Sequence, residues 1–300
     1  MKDYAPTAHQ LFFARANIEP DELPDLEKLF FSNLVLKNGT FKTTNHHRLD
    51  DLNALVNNLL PRVQPLRLMD VAISSGVSTA EWLVSMDSLG IGYDMVAGDL
   101  TINAYLISAG LGLRVLVDDM GHPLQYDIWG RAARRDVNRR GIVRWFFPLS
   151  WLRFLSAMLR PSLSRRPWPT SLSSPVNVYG FTCMPIQLVS AELTASDKLT
   201  LVKDDILNDT HYQHTFHVIR AANILNRGYF GESTLSSMLR NLRRRMVTGG
   251  VLVVCRTLHD DTNHATIFAL REDGRFEVLA RLNAGSEIEA LVLAIPANTA

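Results

Sequence analysis

Three hundred residues with 47% hydrophobic content can bury a sizeable core, enough for one large domain with additions. With 31 basic and 30 acidic residues the formal charge is only +1, which argues against a general electrostatic attraction to nucleic acid. Only Cys183 and Cys255 occur, at no metal-ligand spacing, which excludes a disulfide framework and suits packed thiols in a reducing compartment. The start, Met1 to Pro6, lacks the basic and apolar stretches of a secretory signal, so a cytoplasmic location is expected.

Residues 1–60 show helical periodicity in three pieces, Thr7 to Ala16, Asp21 to Leu36 and His47 to Leu60. Pro20, Pro24 and an Asn38-Gly39 turn break them, and together they read as an N-terminal helical cap. Pro61 and Pro65 stop the last helix, and a first strand is predicted over Leu66 to Ala72. A helix over Thr79 to Leu89, a strand over Met95 to Gly98 and a helix starting near Thr101 follow. An insert, 111–184, interrupts the series, opening with a hairpin that joins Arg114–Asp118 to Pro123–Asp127. A helix over Ile186 to Leu193 and strands over Lys198 to Lys203 and Phe216 to Ala221 then resume it. The last elements are a helix over Glu232 to Met246 and strands over Val251 to Arg256, Thr266 to Leu270, Phe276 to Ala280 and Ile288 to Ile295. This alternation predicts an α/β fold: a Rossmann-like, mostly parallel seven-stranded sheet ending in a late antiparallel strand, within a domain spanning 61–300.

The stretch Asp70-Val71-Ala72-Ile73-Ser74-Ser75-Gly76 ends an apolar run in a carboxylate, then passes through small residues into a helix. Small residues let a backbone approach a ligand while the amides of a helix start face its polar groups. Ala72, Ser74 and Gly76 leave that space, and Ser78 or Thr79 can cap the helix. By itself the turn is equally a strand-to-helix connection without a ligand. Asp99 closes the second strand 23 positions after Gly76, where a carboxylate can accept both ribose hydroxyls of a nucleoside or cap the next helix. A second alignment stays open, with Val176 to Phe181 as the second strand and Phe181 or Thr182 at the acidic position.

From Leu66 to Ile295 the series resembles the class I methyltransferases that use S-adenosylmethionine. Their first turn is usually written Asp-x-Gly-x-Gly-x-Gly, and here only the last glycine stands. The stretch Phe216 to Phe230, with Asn223-Ile224-Leu225 ahead of Tyr229-Phe230, is similar to a segment of the chemotaxis-receptor methyltransferases. Met246-Val247-Thr248-Gly249-Gly250 stands where the family commonly carries Pro-Gly-Gly. The resemblance implies S-adenosyl-L-methionine as cofactor, with Asp70, Ala72, Ser74, Gly76, Asp99, Asp204, Asp205 and Asn223 around it. It also implies methyl transfer to an oxygen or nitrogen nucleophile of an unidentified acceptor. In-line transfer needs orientation more than an acid–base pair, so His217, Tyr229 and His259 are the only candidate bases. Two alternatives stay open, a nucleoside-binding or interaction module without chemistry and a dinucleotide-dependent oxidoreductase. The histidines at 46, 47, 211, 214 and 217 lack metal-ligand spacing, and no metal is expected.

Within the insert, 131–168 carries ten arginines and one acid, Asp136, around the apolar runs Trp145–Leu152 and Phe154–Leu159. Arg144, Arg153 and Arg160 keep any uncharged run below the ~20 residues that span a bilayer. The segment reads as a lid packed on the core, as an interfacial contact with an anionic membrane, or as a surface that stacks bases. Residues 160–175, rich in Ser, Pro and Arg, are expected to be a flexible connection.

Overall fold

The computed structural model describes residues 5–36, 42, 45–134, 146–208 and 212–297; the Asn38-Gly39 turn, Asp136, Trp145, His211 and the arginines at 135, 139, 140 and 144 lie outside them. The first elements are α1 (Ala8–Phe12), α2 (Leu23–Asn33), α3 (Asp50–Asn57), β1 (Leu66–Val71), α4 (Val77–Ser88) and β2 (Tyr93–Asp99). Next come β3 (Asn103–Ser108), β4 (Leu113–Asp118), β5 (Pro123–Ile128), β6 (Arg131–Arg134), α5 (Phe146–Leu163), β7 (Val176–Val178) and β8 (Phe181–Gln187). The chain ends with β9 (Leu199–Lys203), β10 (Phe216–Ala222), α6 (Glu232–Arg245), β11 (Met246–Thr257), β12 (Asn263–Leu270), β13 (Phe276–Leu282) and α7 (Glu289–Leu293).

These elements form two compact units, one of Met1–Thr44 with Thr101–Ser190 and one of Asn45–Leu100 with Ala191–Ala300. The division differs from the one read from the sequence, because α1 and α2 pack within the first unit and only α3 lies in the second. The second unit holds a seven-stranded sheet in the order β13-β12-β11-β10-β1-β2-β9. Its five strands from β11 to β9 are mutually parallel, while β12 and β13 continue as an antiparallel meander. In chain order within the unit the parallel strands run third, second, first, fourth, fifth, the doubly wound order, which reverses direction between β1 and β10. Burial on both faces accounts for the largely apolar reading of β1 and β10, broken inside by Asp70 and Arg220. One face carries Met69, Val71, Ile219 and Ala221 against Leu235, Leu239 and Leu242 of α6 and Val292 of α7.

The first unit is a six-stranded antiparallel sheet, β6-β5-β4-β3-β8-β7. Along β3 the side chains alternate between the faces, as a pleat requires. Tyr105 and Ile107 pack with Leu149, Leu152, Leu155 and Leu159 of α5, whereas Ala104 and Leu106 pack with α1 and α2 through Leu11, Phe30 and Phe31.

Several expectations need correction. The helix expected near Thr101 is β3, since a short apolar run buried on both faces has no period to separate strand from helix. Ile186 belongs to β8 rather than a helix, and Val176 to Phe181 forms a hairpin of the antiparallel sheet, which removes the second alignment for the nucleoside strand. The final strand over Ile288 to Ile295 is α7, whose Val292 faces the α6 layer. The connection expected over 160–175 begins only after α5, which contains Pro161.

Candidate functional site

In open α/β sheets ligands bind outside the carboxyl ends of the strands where the winding reverses, here the ends of β1 and β10. After β1 the chain turns through Ala72 (φ 58°), Ser74 (φ 59°) and Gly76 (φ 83°), all left-handed. Positions 72, 74 and 76 are those of the three glycines in the motif, so the backbone keeps that shape although alanine and serine pay a steric penalty in it. Gly76 is retained for a visible reason. A Cβ built there would lie 2.3 Å from Cδ2 of Leu193, a fully buried residue in the turn ahead of β9. Gly76 also N-caps α4 without a side-chain cap, which leaves the first turn of this helix suited to an anionic or polar ligand group.

Asp99, at the end of β2, accepts a hydrogen bond from the Ser74 backbone N–H at 2.8 Å, and Ile73 N–H donates to the Gly98 carbonyl. The turn and the carboxylate expected to hold a ribose are thus joined directly.

Asp70 is placed elsewhere. It is the register partner of Arg220 across the parallel β1/β10 pair, and both side chains are buried. The guanidinium donates to both carboxylate oxygens, to Oδ1 of Asn53 on α3 at 2.8 Å and to the Ser78 carbonyl on α4 at 3.0 Å. Thr79 Oγ1 donates to Asp70 at 2.7 Å, and Trp82 lies under the guanidinium with 4.2 Å to its ring centroid. A buried charge is tolerated only when paired and hydrogen-bonded, and this pair meets that condition while pinning α3 and α4 to the switch point. Its two oxygens are thus engaged by Arg220 and Thr79.

Asp204 is likewise paired. Arg245, at the end of α6, donates to its two oxygens at 2.6 and 3.1 Å, both residues being buried. Asp205 closes its own loop, accepting from Leu207 N–H and from Asn208 Nδ2, each at 3.0 Å. Asn223 (φ 62°) takes a left-handed conformation that asparagine tolerates, and its amide clamps β10 to β11 through Thr257 N–H and Oγ1. Thr257 Oγ1 donates to Asn263, which in turn donates to the Arg48 carbonyl and to Asp51. Of the eight expected cofactor positions, Ala72, Ser74, Gly76 and Asp99 come together at the carboxyl ends of β1 and β2. Sequence reasoning missed Arg220, Arg245 and Leu193; a lone arginine inside the apolar run of β10 was the available signal for a buried counter-ion.

Among the candidate bases, His217 lies away from the carboxyl ends of the strands. It starts β10 at the amino end, about 16 Å by strand rise from the carboxyl end, and its Nδ1 accepts the Arg67 backbone N–H at 2.9 Å. Burial, with Arg67 adding to it, pushes this imidazole below its ordinary pKa. Tyr229 and His259 lie on exposed parts of the loops that follow β10 and β11. Burial pushes the Cys183 and Cys255 thiols up to about 11 and about 12, so neither is an activated nucleophile.

No family model and no curated protein matches this chain. Solved structures similar to it include the citrinin polyketide synthase CMeT domain (13% identity, 69% of this chain and 34% of that one, TM-score 0.34). The [4+2]-cyclase SpnF is another (11% identity, 69% and 44%, TM-score 0.32). An S-adenosylmethionine dependent methyltransferase from Mesorhizobium loti is a third (11% identity, 68% and 52%, TM-score 0.29). The match spans a third to a half of those chains. Strand order and turn geometry, rather than these distant likenesses, define the architecture. The fold is Rossmann-like, a mostly parallel seven-stranded sheet with an antiparallel end.

Proposed function

We propose that this chain is an S-adenosylmethionine-dependent methyltransferase acting on an oxygen or nitrogen nucleophile. The observation that carries the reading is the turn with left-handed residues at 72, 74 and 76, tied through the Ser74 N–H to the Asp99 carboxylate. These residues fit the cofactor: Asp99 offers an acceptor for ribose hydroxyls, and the uncapped first turn of α4 suits the carboxylate of its amino-acid part. When bound, S-adenosylmethionine supplies a methyl group on a positively charged sulfur that a nucleophile can displace in line. The protein's own contribution is orientation and exclusion of water. Tyr229 and His259, exposed on the loops after β10 and β11, are the bases we propose for an acceptor that arrives protonated.

The antiparallel continuation through β12 and β13 disfavours a dinucleotide oxidoreductase, whose second half continues in parallel strands. One observation favours the module without chemistry: Ala72 and Ser74 place side chains in a turn where glycine permits the closest ligand approach. Calorimetric titration with S-adenosylmethionine, S-adenosylhomocysteine and NAD separates the three readings. Binding of the first two with methyl transfer to an acceptor supports the proposal, binding without transfer across a broad acceptor panel supports the module, and no heat with either overturns both. Asp99→Ala should weaken cofactor binding at least tenfold, about 1.4 kcal/mol, and unchanged affinity removes Asp99 from the site.

A further inference from the structure

Helix α5 has two apolar faces. Leu149, Leu152, Leu155, Leu159 and Leu163 are buried against the antiparallel sheet. Facing away, Phe147 is 80% exposed, Trp151 39% and Phe154 59%, at the i, i+4, i+7 spacing of a single stripe. Trp151 stacks on Phe154 with ring centroids 6.0 Å apart and lies 6.4 Å from Phe181, and Phe147 packs edge-on against Phe146 at 5.5 Å. Residues 146–168 carry Arg153, Arg160, Arg165 and Arg166 and no acidic side chain. Arg160, Arg165 and Arg166 are exposed. No helix among the described residues is long and apolar enough to cross a membrane.

We propose that this face of α5 docks in the headgroup layer of an anionic lipid bilayer. Three pieces of chemistry select that occupant. Large aromatic rings on an outward helical stripe match the boundary between headgroups and acyl chains, where Trp and Phe partition. Exposed arginines at 160, 165 and 166, in a segment 146–168 that holds no carboxylate, give complementarity to anionic headgroups. The opposite face is already buried in its own unit, so the helix can lie in the interface without giving up its packing.

The test is co-sedimentation of the full chain with vesicles of pure phosphatidylcholine and of phosphatidylcholine containing phosphatidylserine, at low and high salt. Binding at least tenfold stronger to the anionic vesicles is expected, falling as salt rises. Phe147→Ser with Phe154→Ser should lower that binding at least tenfold while leaving the thermal midpoint unchanged, since both rings are exposed. Arg165→Gln with Arg166→Gln should reduce the preference for anionic lipid. Absence of vesicle binding, or retention of wild-type binding by the Phe147/Phe154 variant, overturns the proposal. So does light scattering that shows a dimer dissociating in that variant, or binding to a single-stranded oligonucleotide in place of vesicles.

Discussion

The two sheets differ in how far they seal charge. In the mostly parallel one, Asp70, Arg220, Asp204 and Arg245 lie inside as two ion pairs, whereas in the antiparallel unit the buried Asp127 meets a partly exposed Arg114, and Arg160, Arg165 and Arg166 stay outside, on and just after α5. An interior charge survives only with a partner, so it reports how the elements are tied together; an exterior charge beside exposed rings reports what the surface can meet. At the carboxyl ends of the parallel strands, Asp70 and Asp204 are sealed by arginine, whereas Asp99 closes on the turn after β1.

The largest effect that would test this contrast is at the switch point. Asp70→Asn should lower unfolding free energy by about 3–5 kcal/mol in urea, because Arg220 is then left buried without its counter-ion. Asp70→Leu with Arg220→Met should recover most of that loss. A single variant within about 1 kcal/mol of the wild type would show that the pair is not the clamp its geometry describes.

The next effect sets Gly76 against Ser74. Gly76→Ala should cost about 2–4 kcal/mol, combining a left-handed alanine with a clash against the buried Leu193. Ser74→Gly should change stability by less than about 1 kcal/mol, since relief of the left-handed conformation is offset by glycine's greater chain entropy. Equal losses in the two variants would mean that Leu193 does not decide the retained glycine.

The smallest effect concerns His217. Its pKa in the folded chain lies below that of the unfolded chain, so the unfolded state takes up more protons between the two values. Its contribution is fully present above the unfolded pKa of about 6.5 and is lost as pH falls through the folded pKa. Protonating Nδ1 also removes the acceptor for the Arg67 N–H. Denaturant midpoints at pH 7.5 and 5.5 should therefore differ less in His217→Gln than in the wild type, and an equal difference in both would show that His217 does not contribute.

Much of the parallel sheet was legible because most of its strands are apolar runs set off by proline, glycine or a charged residue. The turn at 72–76 and its partner Asp99 were legible for a related reason, since strand-to-helix connections need small residues at set spacing. Of the antiparallel unit, the hairpin of β4 and β5 was legible too, but the sheet that it belongs to was not. Its strand β3 is buried on both faces, and a two-sided strand of six residues carries no period that distinguishes it from a buried helix. Asp70 and Asp204 stood at strand ends where a ligand was expected, and nothing local showed that arginines 150 and 41 positions away would take them.

The sequence by itself determined the alternation that makes the doubly wound sheet, the small-residue turn after β1 and the acidic end of β2, because turn chemistry and strand periodicity act within a few residues. Only the tertiary structure decided which carboxylates are sealed by arginine and which glycine is held by Leu193. It also decided which face of α5 is left outside, because packing and charge pairing join residues that chain order keeps far apart.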